Sequence, residues 1–127
     1  MKRPGLVLVA ALASLAGCSG APSGPVAATV DIALVSPFSD DGALLFTVTG
    51  GPVDSLSADG YALHFSRPAP NTLQAIVTGT LNPGTVARLY LPDDRLIAQY
   101  SVSLDQAAAR VSYTQRDPAA YGLTLKP

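Results

Sequence analysis

The chain has 127 residues, 48% hydrophobic and 13% charged, with 11 Gly, 11 Pro and a formal net charge of −1. That length suits one domain, the apolar share is too high for a disordered segment, and the near-neutral charge gives no footprint for nucleic acid. One His, one Cys and no Trp exclude by count most metal centres and catalytic constellations.

Lys2 and Arg3 form a short positive start, and Leu6 to Ala16 is apolar except for Ser14. A mature membrane-spanning helix needs about 20 apolar residues, so this run is too short. A basic start, a short apolar stretch and small residues after it describe a secretory signal peptide over residues 1–17. Leu15-Ala16-Gly17-Cys18 resembles the bacterial lipobox. The resemblance implies cleavage between Gly17 and Cys18, a diacylglycerol thioether on Cys18, and acylation of the freed amine. It also implies a protein tethered to the membrane by its lipid. In bacteria with two membranes, Asp after the Cys is the usual inner-membrane retention signal; Ser19 stands there, which implies the outer membrane. Exported disulfide frameworks use Cys in pairs, and here the one Cys is the one a lipobox consumes. Cleavage removes 17 residues, two of the eight basic ones and none of the nine acids, leaving 110 residues with a formal charge of −3.

Residues 18–28 read as anchor and tether, since Ser19 to Pro25 is Ser-Gly-Ala-Pro-Ser-Gly-Pro. Residues 29–127 read as a single domain with a period of two. Val30, Ile32 and Leu34 alternate with Thr29, Asp31 and Ala33; Asp40-Asp41-Gly42 is expected to turn; Leu44, Phe46 and Val48 form the next stripe. Gly50-Gly51-Pro52 breaks the run, and Val53 to Leu56 is a short strand or an irregular crossing. Asp59-Gly60 turns again, Tyr61, Leu63 and Phe65 oppose Ala62, His64 and Ser66, and Pro68 and Pro70 are expected to stop that strand. Leu73, Ala75 and Val77 precede the turn Asn82-Pro83-Gly84, and Ala87, Leu89 and Leu91 precede Pro92-Asp93-Asp94. Leu96, Ala98, Tyr100, Val102 and Leu104 make the clearest stripe, with Ile97, Gln99, Ser101 and Ser103 opposite. Asp105 to Ala109 suits one helical turn capped by Asp105, Val111 and Tyr113 suit a strand, and Tyr121, Leu123 and Leu125 close the chain. Short alternating runs with frequent turn residues predict an all-β fold, a two-sheet antiparallel β-sandwich, jelly-roll or Ig-like, of about 7–9 short strands.

Gly42 to Val48 resembles the early strand of cohesin-like domains, and Ile76 to Leu91, with Gly79 and Asn82-Pro83-Gly84, resembles their central hairpin. Cohesins are jelly-roll-like sandwiches that bind partner modules and share their architecture with carbohydrate-binding modules. The resemblance implies a sandwich that works by contact. No binding residue is carried over from it.

Each candidate for chemistry has a plainer reading. His64 is the one possible general base, but no Gly-x-Ser-x-Gly elbow accompanies it and Ser66, so a solvated histidine is expected. Asp40-Asp41 and Asp93-Asp94 lack the spacing of a calcium loop, and Asp favours turns unaided. Tyr90, Tyr100, Tyr113 and Tyr121 could stack on sugars. Tyr100 and Tyr113 are expected to pack in the core with a rim hydroxyl. Tyr90, on one side with Arg88 and Val86, is the best exposed ligand-binding candidate, with Arg88 beside it. No cofactor, metal or catalytic residue is expected. The expected partners are the membrane, through the lipid, and a protein, or alternatively a polysaccharide or cell-wall glycan; nothing calls for a second subunit, so a monomer is expected.

Overall fold

The computed structural model describes residues 24–127. Cys18 and the signal segment lie outside the described residues. Nine strands follow in order: β1 Ala28–Val35, β2 Asp41–Thr49, β3 Ser55–Ser57, β4 Ala62–Ala69, β5 Thr72–Leu81, β6 Gly84–Leu91, β7 Ser101–Ala109, β8 Gln115–Arg116 and β9 Gly122–Lys126. They form two antiparallel sheets, ordered β3-β6-β1-β9 and β4-β5-β2-β7-β8. This is a two-sheet antiparallel β-sandwich. The period-two stripes put one apolar face of each sheet toward the other. Val30, Ile32 and Leu34 of β1 meet Leu44, Phe46 and Val48 of β2 in one buried core, joined by Leu73, Val77 and Leu89 from the neighbouring strands.

Several local expectations give way to tertiary structure. Ordered structure begins ahead of residue 29: the Val26 carbonyl accepts from Asp94 N–H at 2.8 Å, and Ala28 already belongs to β1. β4 runs on past Pro68 to Ala69, with its register shifting between Ser66 and Ala69. An edge strand tolerates Pro because one side of it has no ladder to supply. β5 and β6 do not pair as a hairpin; Asn82-Pro83 carries the chain from one sheet to the other. The stripe from Leu96 to Leu104 is two elements. Residues Asp94–Gln99 form a 3₁₀ helix, capped by the Asp93 carboxylate accepting from Arg95 N–H, and β7 begins at Ser101. Leu96 and Ile97 still pack on the core from the helix. Asp105 to Ala109 stays in β7 because β2 offers it a ladder as far as Asp41↔Ala109. A ladder along a central strand outweighs one cap.

Two glycines are required by close approach. A Cβ on Gly42 would overlap the backbone Cα of Arg110, and Gly50, at φ +118°, lies against the Gln99 carbonyl. Tyr100 is buried, as expected, and its hydroxyl donates to the Pro52 carbonyl. Burial pushes the Tyr100 phenol above its ordinary range, with Asp54 and Asp93 adding to the shift, so the hydroxyl stays protonated.

The sandwich depends on the contact between the two apolar faces. Phe46→Ala should therefore lower the unfolding free energy by about 3–5 kcal/mol in urea titration, whereas Gln74→Ala, on the solvent side of β5, should stay within about 0.5 kcal/mol. Equal effects of the two would contradict this core.

Candidate functional site

The outer faces of the two sheets differ in charge. On the four-stranded sheet, Lys126, Asp31, Arg88 and Ser57 lie in one cross-strand row. Arg88 Nε stands 3.3 Å from Asp31 Oδ1, an exposed pair that contributes little to stability. In the row beside it, Tyr90 lies between Ser55 and Thr29. Its ring is half-buried and its hydroxyl shares a hydrogen bond with Ser57 Oγ at 3.1 Å. Tyr90 and Arg88 do not share their side with Val86. The register skips Val86 between Ile32↔Ala87 and Ala33↔Thr85, and that bulge buries it.

The outer face of the five-stranded sheet is nearly uncharged. His64, Ile76, Leu45 and Gln106 form a row across four strands. The flanking rows bring Ser66, Gln74, Thr47 and Ser103 on one side and Ala62, Thr78, Ala43 and Ala108 on the other. Ile76 is exposed at the centre, and a shallow groove of about 250 Å³ runs between it, His64, Phe65, Ser66 and Gln74. Asp105, the extra residue of a bulge in β7, is the carboxylate of this face and accepts from Thr47 Oγ1 at 2.6 Å. His64 is exposed, as expected, with Ser66 on its side of β4.

The feature that sequence reasoning missed is the Asp41 carboxylate. Asp40-Asp41-Gly42 is not a free turn. On strict alternation Asp41 would share the outer side with Ala43 and Leu45. Gly42 is an extra residue relative to β7, and the register shift between Asp41 and Ala43 aims Asp41 inward, where it is fully buried. Its oxygens are well partnered. Tyr121 Oη donates to Oδ1 at 2.6 Å, Arg116 Nη1 to Oδ1 at 3.0 Å, and Ser36 Oγ to Oδ2 at 2.6 Å. Arg116 Nη1 also reaches Asp40 Oδ1 at 2.8 Å, and its guanidinium carbon lies 4.0 Å from the Phe38 ring centroid. The Phe38 and Tyr121 rings are 5.9 Å apart and tilted by 40°. One carboxylate thus joins the β1–β2 loop, β8 and the segment leading to β9 at one end of the sandwich. No sequence signal marks it, because Arg116 lies 75 residues away.

The electrostatics agree with this geometry. The hydrogen bond from Arg116 holds Asp40 below the usual carboxylate range, while the same partners, Asp40 first, push the Arg116 guanidinium up. Burial, then the bond to Asp41, pushes the Tyr121 phenol up, so it stays a donor. Asp93 is held below the usual range by the hydrogen bonds of Arg95, with Nε and Nη2 each 2.9 Å from a carboxylate oxygen.

Two other expectations fail at this end. Val111 and Tyr113 belong to the turn between β7 and β8 and are exposed, because β7 ends at Ala109. Tyr113 is therefore not a core residue, and its φ of +55° is rare for an aromatic side chain. Among the described residues, no group of three or more His, Cys, Asp or Glu is placed to hold a metal ion. None of the described helices is long and apolar enough to cross a membrane. Comparison with protein-family models, curated proteins and solved structures found no match.

Asp41→Ala would take the buried acceptor from the Tyr121 and Ser36 hydroxyls while Arg116 keeps Asp40, so it should cost about 1–3 kcal/mol in chemical denaturation. Asp41→Asn, which keeps an acceptor, should cost less; a neutral Asp41→Ala would contradict the arrangement. Acid should also weaken the fold. Asp40 and Asp93 titrate lower in the folded than in the unfolded chain. Their contribution is therefore complete above the unfolded carboxylate value of about 4 and lost as pH falls through the folded one. Asp40→Asn should flatten part of that acid limb, and an unchanged limb would show that Asp40 is not coupled to folding.

Proposed function

We propose that the protein is an exported, lipid-anchored lipoprotein of the bacterial envelope whose sandwich acts by contact, as a cohesin-like protein–protein interaction module, and not as an enzyme. The observation that carries this reading is Leu15-Ala16-Gly17-Cys18 at the end of an 11-residue apolar run, in a chain whose one Cys is that residue. Burial of acyl chains is worth about 0.8 kcal/mol per methylene, and one chain alone holds only marginally. Two or three chains on one residue make a lasting anchor. In a bacterium with two membranes, Ser19 directs it to the outer one.

The nearly uncharged outer face of β4-β5-β2-β7 supports a protein partner. Charged residues are depleted at the centres of protein interfaces, and the row through Ile76 and Leu45 has that composition. The opposite face, with Lys126, Asp31 and Arg88 in one row, has the composition of a solvated surface. A glycan platform is less well supported. Tyr90 is half-buried and bonded to Ser57 rather than standing among other rings.

Two readouts on the same strain test the reading. Intact mass of the membrane-extracted protein should show the acyl groups, and Cys18→Ala should abolish them and leave the precursor uncleaved. A photo-crosslinker placed at Gln74 should give a discrete adduct that Ile76→Arg removes. A soluble, unacylated product contradicts the anchor. An absent adduct, or one indifferent to Ile76→Arg, contradicts the contact face, and binding on a glycan array that is lost with Tyr90→Ala would favour the sugar ligand.

A further inference from the structure

Four of the seven exposed large hydrophobic side chains among the described residues, Val35, Phe38, Val111 and Tyr113, sit at one end of the sandwich. The registers define that end. β1 finishes at Val35 opposite Gly122, and β7 finishes at Ala109 opposite Asp41. The tether enters β1 at the other end, where Ala28 lies opposite Leu91. Val111 is 85% exposed and Tyr113 66%, so the β7–β8 turn presents two large hydrophobic side chains mostly to solvent.

The turn is held in place. Tyr113 N–H donates to the Ala109 carbonyl at 3.1 Å, Ala109 N–H to the Thr114 carbonyl at 3.0 Å, and the Ser112 and Thr114 hydroxyls share a bond of 2.8 Å. Arg110 N–H donates to the Asp40 carbonyl at 2.7 Å, which fixes the turn to the Asp41 cluster. Tyr113, at φ +55°, is the residue at which the loop closes back on Ala109, a position where hairpin loops commonly place a left-handed residue, and this fixes where its ring stands. The segment from Arg110 to Arg116 contains no acid, although the chain cleaved before Cys18 carries a formal −3.

We propose that this turn is a second membrane contact, in which Val111 and Tyr113 enter the headgroup layer of the bilayer that holds the acyl chains and Arg110 meets anionic lipid phosphate. This rests on the proposed anchor. The shape of the feature favours lipid over protein. A stable protein interface takes roughly 800 Å² from each partner with matched surfaces, whereas this is a narrow convex turn with two protruding side chains. A bilayer imposes no shape, Tyr favours its interface, and Arg can extend its charge to the headgroups. The reach is sufficient. Residues 18–25, ahead of the Val26 contact, could span up to about 28 Å if extended, close to the roughly 30 Å length of a nine-residue strand such as β7. The sandwich can therefore lie along the membrane with both ends in contact.

The chain has no Trp, so one introduced indole is an unambiguous probe. The acylated full chain carrying Tyr113→Trp, or Val111→Trp if the first does not fold, would be reconstituted in vesicles of phosphatidylcholine and phosphatidylglycerol. Its emission should shift to the blue and be quenched by brominated lipid tails. Adding Arg110→Glu together with a second acid, Ser112→Asp, should abolish the quenching, and a separate Ile76→Trp chain should show none. An unquenched indole on an acylated chain overturns the proposal, as does equal quenching at Ile76. A blue shift that grows with protein density without quenching means self-association and overturns it too. Intact mass reads the acyl groups independently, so a missing acyl group refutes the anchor whereas a silent indole on an acylated chain refutes the turn.

Discussion

The end of the sandwich where β1 finishes and β2 begins is organised around one buried carboxylate. A charge in a protein interior is tolerated only where hydrogen bonds replace the water it has lost. Asp41 has three such donors, from Tyr121, Arg116 and Ser36, and they come from three separate parts of the chain. The loop before β2, the two-residue strand β8 and the segment before β9 have little apolar burial of their own. The ladder to β7 places β8 and core packing holds Tyr121, while the shared acceptor ties these segments to one another. Arg116 completes the arrangement by pairing with Asp40 and lying against Phe38. Gly42 makes it sterically possible, since the bulge that turns Asp41 inward also brings the Arg110 backbone where a Cβ would stand.

The larger architecture was legible because it rests on period-two burial, a local property of the chain. The alternation of Val30, Ile32 and Leu34, and of Leu44, Phe46 and Val48, appears unchanged as the two halves of the core. What could not be read are the places where alternation is broken by pairing with distant residues. A bulge at Val86 buries a residue assigned to the side of Tyr90, and one at Gly42 buries an aspartate assigned to a turn. The run from Leu96 to Leu104 looks continuous because its 3₁₀ helix and its strand both direct apolar residues to the core. Asp93 followed by Arg95 was a capping signal that could have divided it. The Asp41 cluster had no comparable signal, as the partners of Asp41 lie up to 80 residues from it.

The two ends and two faces of the body have different chemistry. The chain enters β1 at one end, the opposite end presents Val111 and Tyr113, one broad face is charged and the other is nearly neutral. If the protein is held by lipid as proposed, an anchor alone would leave such a body free to rotate, and a second contact at the far end would limit which face meets a partner. On that proposal the Asp41 cluster would matter to function through the placement of the turn it supports.

Amide hydrogen exchange on Asp41→Asn against the unaltered protein tests this dependence most directly. The account predicts faster exchange at Ala109, Arg110 and Tyr113, whose amides are bonded within or next to the cluster, while the amide of Phe46 in the centre of β2 keeps its protection. Unchanged exchange at the three distal amides would contradict it, and so would a uniform loss of protection that included Phe46.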